Sequence, residues 1–177
     1  MADEKLWPQT DPLLQQYYDA EWGRPVHDDQ KLFELLTLEG MQAGLSWLTV
    51  LRKRAAFVSA FHQFDIASVA KMSDADIDTL MQNPALIRSR NKLHSVITNA
   101  QAIQAVQNEF GSFEAYLWKF VAGKPIINHP RSNADIPAQT PLSQTIAKDL
   151  KKRGFKFVGP VITYSFLQAA GLVNDRF

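Results

Sequence analysis

Apolar residues recur at helical spacing along almost the whole chain, and polar capping residues separate the runs. After Asp28, the residues Leu32, Leu35 and Leu36 form one stripe that continues in phase to position 39. An Asp or Ser just before such a run favours a helix start, because its side-chain oxygen accepts a hydrogen bond from a free backbone N–H. This spacing predicts a helix that begins after Asp28 and ends near Gly44.

The same pattern predicts helices over most of the remaining chain. The predicted helical segments are Pro12 to near Gly23, Trp47 to Val58, a short turn from Asp65, Ser73 to Leu80, Pro84 to Phe110, Ser112 to Phe120, Ser143 to Arg153 and Pro160 to Ala170. Residues 124–141 carry four prolines and are predicted as one long loop. No run alternates polar and apolar residues over a strand length. The sequence therefore predicts an all-α fold.

Length and composition fit one domain with a hydrophobic core. The chain has 177 residues, of which 46% are hydrophobic, and it has no cysteine. Disulfides, thiolate metal sites and a cysteine nucleophile are therefore excluded. The first residues show no apolar signal segment, and no apolar run reaches membrane-spanning length. We expect a cytoplasmic protein with no membrane partner.

Charge is spread unevenly along the chain, although the net charge is only +1. Residues 1–87 carry a net charge of −6, and residues 88–177 carry +7. The second part of the chain is therefore where a contact with a polyanion is to be sought. Proteins without a nucleic-acid partner show such asymmetry too, so motifs must decide.

Glu39 is the first candidate for chemistry, because its helical phase places it on the apolar stripe. It follows Leu32 by seven positions and Leu36 by three, which puts its carboxylate on the face that packs inward. A carboxylate there must find a partner, shift its pKa or serve a site. The alternative is that the stripe ends at Leu36 or that Glu39 caps a neighbouring helix. Gln42, one turn further on, offers an amide beside it.

Aromatic residues are crowded near the N-terminus. Trp7, Trp22 and Trp47 are three of the four tryptophans, and Tyr17 and Tyr18 lie between them in sequence. Ring faces attract positive charge, so aromatic walls around a buried acid suit a flat cationic ligand. Core packing is the alternative explanation for any one of these rings.

Residues 148–160, KDLKKRGFKFVGP, carry the third candidate feature. A basic helix end meets a short turn with Gly154 and Gly159 at its sides, and Pro160 can open the next helix. This is the layout of a helix-hairpin-helix, in which glycines and free N–H groups approach a phosphate closely. Basic side chains would add attraction to a nucleic-acid backbone, namely those of Lys151, Lys152, Arg153 and Lys156. A solvated helix end with lysines that suit its dipole is the alternative.

Other chemistries find no support in the sequence. The four histidines, His27, His62, His94 and His129, show no metal-ligand spacing and are interpreted as surface or structural residues. No Walker loop, dinucleotide fingerprint or G-x-S-x-G elbow is present. Nucleotide hydrolysis, hydride transfer and serine esterase chemistry are therefore not predicted.

Five blocks of the sequence together resemble a known family. They are YYDAEWG at 17–23, LEGMQAGLSWLTVLRKRAAF at 38–57, LIRSRNKLHSVITNA at 86–100, KDLKKRGFKFVGP at 148–160 and YSFLQAAGLVND at 164–175. In this order they resemble the bacterial 3-methyladenine DNA glycosylase I family. The resemblance implies a helix-hairpin-helix glycosylase fold with two helical lobes flanking a cleft. It implies one glycosylase domain over residues 1–177, with the helix-hairpin-helix at approximately 143–171.

The resemblance also implies roles for the residues already singled out. Glu39 matches the glutamate that recognises the exocyclic amino edge of an extruded base. Trp47 and Tyr17 match pocket aromatics, with Trp7 and Trp22 nearby, and residues 154–159 match the phosphate anchor. The implied partner is double-stranded DNA that contains alkylated bases, bound by a monomer.

Two departures from the family pattern stand out. Family members usually carry a structural zinc ion between the N- and C-terminal segments, but the matching positions here hold Lys5, Tyr18 and Arg176, and the sequence ends at Phe177 before the last ligand. We therefore predict that this protein has no zinc site and needs no cofactor. Leu14 occupies a position where some members have another pocket tyrosine, which affects the width and stacking of the pocket.

The resulting expectation is a monofunctional glycosylase that releases 3-methyladenine and leaves an abasic site. Methylation at N3 makes adenine cationic and a better leaving group, so little acid–base machinery is required. Two alternatives remain open: a non-catalytic DNA-binding homologue, and a glycosylase with an altered preference among alkylated bases.

Overall fold

The computed structural model describes residues 4–177, and the architecture is mainly helical. Within these residues ten α-helices form: α1 Pro12–Ala20, α2 Asp29–Met41, α3 Trp47–Arg52, α4 Arg54–Ala60, α5 Ile66–Ala70, α6 Asp74–Leu80, α7 Arg90–Phe110, α8 Phe113–Trp118, α9 Pro141–Lys152 and α10 Pro160–Ala169. Short 3-10 helices cover Trp7–Thr10, His62–Phe64, Lys119–Val121 and Asn133–Asp135. The prediction of an all-α fold is confirmed.

Polar residues cap the helices where the sequence predicted starts. Asp11 accepts a hydrogen bond from the Leu13 amide, and Asp28 accepts one from the Lys31 amide. Ser73 forms the predicted capping box with Asp76, in which each side chain accepts from the backbone N–H of the other. These local bonds satisfy N–H groups that the first helical turn leaves free. The helix starts are therefore encoded locally.

Three predicted helix boundaries differ from the structure. The helix predicted from Pro84 begins at Arg90, because Ser89 is its N-cap and residues 83–86 form a turn. The run from Trp47 to Val58 is divided at Lys53 into α3 and α4. The first helix of the predicted helix-hairpin-helix starts at Pro141 instead of Ser143, since Thr140 caps it.

The long proline-containing loop contributes one strand to a short parallel pair that the sequence did not predict. The pair joins β1 (Ile126–Ile127) to β2 (Val173–Asn174). Two residues per strand are too few to show an alternating pattern. The pair fixes the end of the chain against the long loop.

Helix α2 lies at the centre of the packing. Eight of its 13 residues are buried, and the apolar ones belong to the main hydrophobic cluster, which also includes residues of α7 and α10. A smaller cluster contains Leu14, Tyr17, Tyr18 and Trp22. Trp47 packs against both clusters. The C-terminal end of α2 therefore lies where the two hydrophobic clusters meet.

Helices α9 and α10 pack against each other and are joined by the turn at residues 153–159. Asn99 of α7 holds this turn, because its side chain accepts from the Lys156 amide at 2.8 Å and donates to the Lys156 carbonyl at 3.1 Å. A side chain on Gly40 would meet the Phe157 Cβ at 3.4 Å, so the turn also lies close to the end of α2. The hairpin is thus fixed beside the helix that carries Glu39.

Candidate functional site

A cavity of about 560 Å³ opens where the end of α2 meets the N-terminal segment, α3 and α10. Five of the predicted site residues line it, namely Trp7, Trp22, Glu39, Gln42 and Trp47. Leu14 also lines it, so the position that departs from the family pattern belongs to the cavity wall. The tertiary structure therefore brings together predicted site residues that are up to 40 positions apart in sequence.

A second groove, of about 650 Å³, lies between α7 and the hairpin. Polar side chains such as His94 and Lys156 line much of it, together with Phe157. Its acidic residue, Asp74, is exposed, whereas the first cavity encloses a buried carboxyl group among rings. We therefore assign the candidate site to the first cavity.

The Glu39 side chain is buried, as the helical phase predicted. The residue is 4% exposed, while Leu32 and Leu36 on the same stripe are 0% and 1% exposed. No hydrogen bond or ion pair within residues 4–177 reaches its carboxyl group. Burial alone raises the pKa of Glu39 to about 8. Burial therefore favours the neutral carboxyl group, and a cation beside it would favour its ionised form.

Trp47 and Tyr17 form one wall, but only Trp47 lines the cavity. Ser46 caps α3, and Trp47 is the first residue of that helix. The Tyr17 ring packs behind it, with 5.5 Å between ring centroids and an interplanar angle of 53°. The Tyr17 hydroxyl is buried and has no hydrogen-bond partner among the described residues. Burial is the main cause that raises the pKa of Tyr17 well above its ordinary value, and the negative charge of the Glu39 carboxylate raises it further.

The opposite wall is a group of packed aromatic rings. Trp7 meets Trp22 edge to face at 5.0 Å and Tyr18 edge to face at 5.5 Å. Tyr18 stacks on Trp22 at 5.6 Å and on Phe177 at 6.2 Å. Such contacts stabilise a fixed arrangement beyond the area they bury. The two tryptophans of this wall are therefore connected through Tyr18 to the last residue of the sequence.

Arg176 joins the end of the chain to this wall. Its guanidinium lies 4.1 Å from the centre of the Tyr18 ring, and Nη1 donates to the carbonyls of Tyr18 at 2.7 Å and Trp22 at 2.6 Å. Gly23 allows this approach, since a Cβ there would lie 2.6 Å from the Arg176 Cγ. The Tyr18 hydroxyl accepts from the Phe177 amide at 2.8 Å. We call this set of contacts among Tyr18, Trp22, Arg176 and Phe177 the terminal clasp.

Asn133 holds the N-terminal part of the wall. Its side chain donates to the Lys5 carbonyl at 2.9 Å and accepts from the Trp7 amide at 2.9 Å. Asn133 lies in the loop predicted from the proline content and also lines the cavity. The long loop therefore positions Trp7.

Two residues of the terminal clasp, Tyr18 and Arg176, stand at positions where the resemblance would place zinc ligands. Tyr18 and Arg176 contact each other directly, and Lys5 is held through its backbone by Asn133. Among residues 4–177, no three His, Cys, Asp or Glu side chains are arranged to hold a metal ion. Of the histidines, His27 bonds Glu114 at 2.7 Å and stacks on Trp118. The contacts between the terminal segments are thus made by protein groups.

Sequence reasoning missed the part of the cavity that α10 and the long loop supply. These residues are Asn133, Ile136, Ser165 and Gln168. Gln168 carried a signal of the same kind as Glu39, because it lies in the apolar sequence SFLQAAGL and is 7% exposed. Asn133 carried none, since its role depends on where the loop crosses the N-terminal segment.

The basic residues of the hairpin have different surroundings. Lys151, Lys152 and Lys156 are exposed. Arg153 is already paired, with its Nε 2.8 Å from Asp149 and its Nη1 2.7 Å from Glu109. A Cβ at Gly159 would meet no protein atom within 4 Å, so the surface before α10 is open to a close approach from outside.

No helix in the described part of the chain is long and apolar enough to cross a membrane.

Fold and site together define a helical protein whose cavity places tryptophan rings beside a buried carboxyl group. A family model for methyladenine glycosylases matches residues 7–177. DNA-3-methyladenine glycosylase of Haemophilus influenzae is 47% identical over 170 residues, which are 96% of this chain and 92% of that protein. DNA-3-methyladenine glycosylase 1 of Escherichia coli is also 47% identical, over 96% of this chain and 91% of its own. The chain belongs to the methyladenine glycosylase family.

Solved structures of related proteins have the same fold. A crystal structure of 3-methyladenine DNA glycosylase I superposes with a TM-score of 0.92 at 50% identity, covering 97% of this chain and 95% of that one. The Staphylococcus aureus enzyme, whose structure describes 3-methyladenine recognition, has a TM-score of 0.90 at 42% identity, over 93% and 87% of the two chains. The resemblance seen in the sequence is confirmed.

Burial of Glu39 predicts a stability that depends on pH. Because its pKa rises from 4.5 to about 8 on folding, wild type loses stability relative to Glu39→Gln as the pH rises between these values. Above that range the variant should be more stable by about 5 kcal/mol, and below it the two should differ little. Urea unfolding of both proteins across this pH range measures the difference in their free energies of unfolding. The other titrating groups are the same in both proteins, so their contributions cancel in this difference. A difference that does not vary with pH would contradict the assigned burial.

The terminal clasp predicts a structural role for Arg176. Arg176→Ala removes two charge-assisted hydrogen bonds and a cation–π contact, so the free energy of unfolding should fall by about 1–3 kcal/mol. Arg131→Ala is the matched control, because the Arg131 side chain is 93% exposed. Chelator treatment should leave the wild-type unfolding curve unchanged. An equally small loss of unfolding free energy in both variants would contradict the structural role of Arg176. A shift of the wild-type unfolding curve on chelation would contradict a terminal clasp that needs no metal.

Proposed function

We propose that this protein is a monofunctional DNA glycosylase that releases 3-methyladenine from alkylated DNA by hydrolysis and leaves an abasic site. The observation that carries this proposal is the buried carboxyl group of Glu39 in a cavity walled by Trp7, Trp22 and Trp47. Membership of the methyladenine glycosylase family supports it. The family relatives named above act on alkylated DNA, as their names state.

Recognition of the base follows from charge. A purine methylated at N3 in DNA carries a positive charge, and indole faces attract cations. Entry of this cation next to Glu39 favours the ionised carboxylate, which then accepts a hydrogen bond from the amino edge of the base. Adenine is neutral and gains neither interaction. Selectivity then depends on charge more than on a close steric fit.

The chemical step needs little from the protein. As the bond between N9 and the sugar carbon C1′ breaks, its electron pair moves into the ring and cancels the positive charge. Water adds its oxygen to C1′ and loses a proton to solvent, which gives the free neutral base and an abasic sugar. The aromatic walls contact the faces of the base, and Glu39 accepts a hydrogen bond from its amino edge. The proposed role of Glu39 is therefore base binding first and proton transfer second. Gln42 offers a further polar contact from the end of α2.

Tyr17 supports the base-binding wall from behind. A buried hydroxyl without a partner is costly, and a bound base or a water molecule that reaches it would supply one. The contact between Tyr17 and Trp47 also fixes the tilt of the ring that would stack on the base. We therefore propose that Tyr17 is a positioning residue of the base pocket, which acts through Trp47.

Double-stranded DNA is the proposed macromolecular partner, bound by a monomer. The free N–H groups at the start of α10 and the open surface at Gly159 suit a phosphate. Exposed residues at the end of α9 and in the following turn add to this surface, namely Lys151, Lys152, Gly154 and Lys156. Because Arg153 is already paired with Asp149 and Glu109, we expect it to contribute a weaker contact. A base in a duplex must be extruded to reach the cavity. The relatives are bacterial proteins, and we propose the cytoplasm as the location.

Leu45 is a further residue for this step, not singled out in the sequence. Its side chain is 38% exposed in the turn between α2 and α3, and Gln42 and Ser46 of the same turn line the cavity. Apolar side chains of DNA-bending proteins often insert where bases are unstacked. We propose that Leu45 fills the space that the extruded base leaves.

Altered lesion preference is the second candidate function, because Leu14 lines the cavity. An aliphatic side chain there offers neither a stacking face nor a hydroxyl group. A wider or more apolar pocket would accept larger alkyl groups or other alkylated purines. A non-catalytic DNA-binding homologue is the remaining alternative.

Base release from methylated DNA tests the proposal. Wild type should release 3-methyladenine, and Glu39→Gln should reduce kcat/KM by about 10–100-fold, since it removes the negative charge opposite the cation. The wild-type profile of kcat/KM should rise with pH towards about 8, whereas that of Glu39→Gln should be flat. Glu4→Gln, at an exposed glutamate, is the control.

Each other result of this assay has a definite meaning. Binding to abasic DNA without release of any base would favour the non-catalytic homologue. Faster release of another alkylated base would favour the altered preference. Normal release by Glu39→Gln would contradict the proposed role of Glu39.

Salt dependence tests the role of the hairpin. Replacing both Lys151 and Lys152 by Gln should reduce the slope of log affinity against log salt concentration by about 2, because two phosphate contacts are lost. The loss of DNA affinity should therefore be greatest at low salt. Replacing exposed Lys71 and Lys124 together is the matched control. A salt slope that stays at the wild-type value would contradict the assignment.

A further inference from the structure

Gln168 presents a fixed hydrogen-bond acceptor to the cavity. It belongs to α10, lines the cavity and is 7% exposed. Its side-chain Nε2 donates to Asp175 Oδ2 at 2.8 Å. A carboxylate oxygen can only accept, so the amide must turn its nitrogen towards Asp175. The amide oxygen Oε1 then remains for the cavity, and no hydrogen bond within residues 4–177 uses it.

Asp175 is itself held in place by three donors. It is 1% exposed and accepts from Tyr164 Oη at 2.5 Å and from Asn128 Nδ2 at 2.8 Å, in addition to Gln168. Asn128 follows β1 and Asp175 follows β2, so the short strand pair fixes both. A buried carboxylate with several good hydrogen bonds resists rearrangement. The orientation of Gln168 is therefore built into the fold.

Two acceptors in one cavity restrict which base edge can be bound. Glu39, when ionised, accepts only, and Gln168 Oε1 accepts only. An amino group supplies hydrogens to such acceptors. A carbonyl oxygen in the same place would face them with its own lone pairs, and all of these groups would be left unpaired away from water.

We propose that Gln168 is a specificity-determining residue that selects purines with an amino group at position 6 over purines with an oxygen there. Asp175 is its positioning residue. This inference rests on the proposed function, because it assumes that the cavity receives the extruded base. Sites that hydrogen-bond a polar group of the substrate reject analogues that lack it far more strongly than apolar pockets do.

A binding measurement with free bases, made above about pH 8 so that Glu39 is ionised, tests this inference without requiring catalysis. 3-Methyladenine carries an amino group at position 6 and no ring N–H, whereas 3-methylhypoxanthine carries an oxygen at position 6 and one ring N–H. The fluorescence of the three cavity tryptophans reports binding. Wild type should bind 3-methyladenine at least about 10-fold more tightly. Gln168→Met keeps a similar length but has no acceptor oxygen, so it should lose most of this preference. Gln82→Met, at an exposed glutamine, should retain it.

Asp175→Asn provides an independent variant if Gln168→Met does not fold. An asparagine at 175 can accept as well as donate, so the Gln168 amide can turn, and the preference should fall by a smaller factor. A wild-type protein without preference, or a preference unchanged in the folded variants, would overturn the inference. Base release from methylated DNA is measured on the same samples. If wild type bound with the expected preference but released no base, the proposed function would fail and the role of Gln168 would stand.

Discussion

The burial of one carboxyl group without a protein partner is the constraint on which the site depends. Glu39 lies on the inward stripe of α2, where it is buried. This burial raises the pKa of its carboxyl group to about 8. Such a group costs stability in the free protein when it ionises. A positively charged base that enters beside it removes that cost. In the function proposed above, the destabilised carboxyl group is the source of selectivity for a cationic base over its neutral parent.

The walls of the cavity depend on contacts between distant parts of the chain. Trp7 is held through Asn133, and Trp22 is held through the terminal clasp of Tyr18, Arg176 and Phe177. In this family member, hydrogen bonds, stacking and a cation–π contact connect the terminal segments. The same end of the chain carries Asp175, which orients Gln168. The contacts made by the last residues of the chain therefore hold both the wall that contains Trp22 and the side-chain amide of Gln168.

The hairpin and the cavity are mechanically connected. Asn99 fixes the hairpin at Lys156, and Phe157 lies against Gly40, next to Glu39. A phosphate bound at the start of α10 would therefore stand in a defined position relative to the base pocket. Since extruding a base requires that backbone and pocket be held at a constant separation, this packing suits the family's reaction.

Local sequence determined the helix starts, the all-α class, the buried phase of Glu39 and the family, because caps, spacing and motif blocks involve residues near one another in the chain. Tertiary structure decided which residues share the cavity. Tyr17 was predicted as a pocket aromatic but lies behind Trp47, while Gln168 and Asn133 reach the cavity through the packing of α10 and the long loop. Such placements depend on how separate segments pack, and the spacing within any one segment does not encode them.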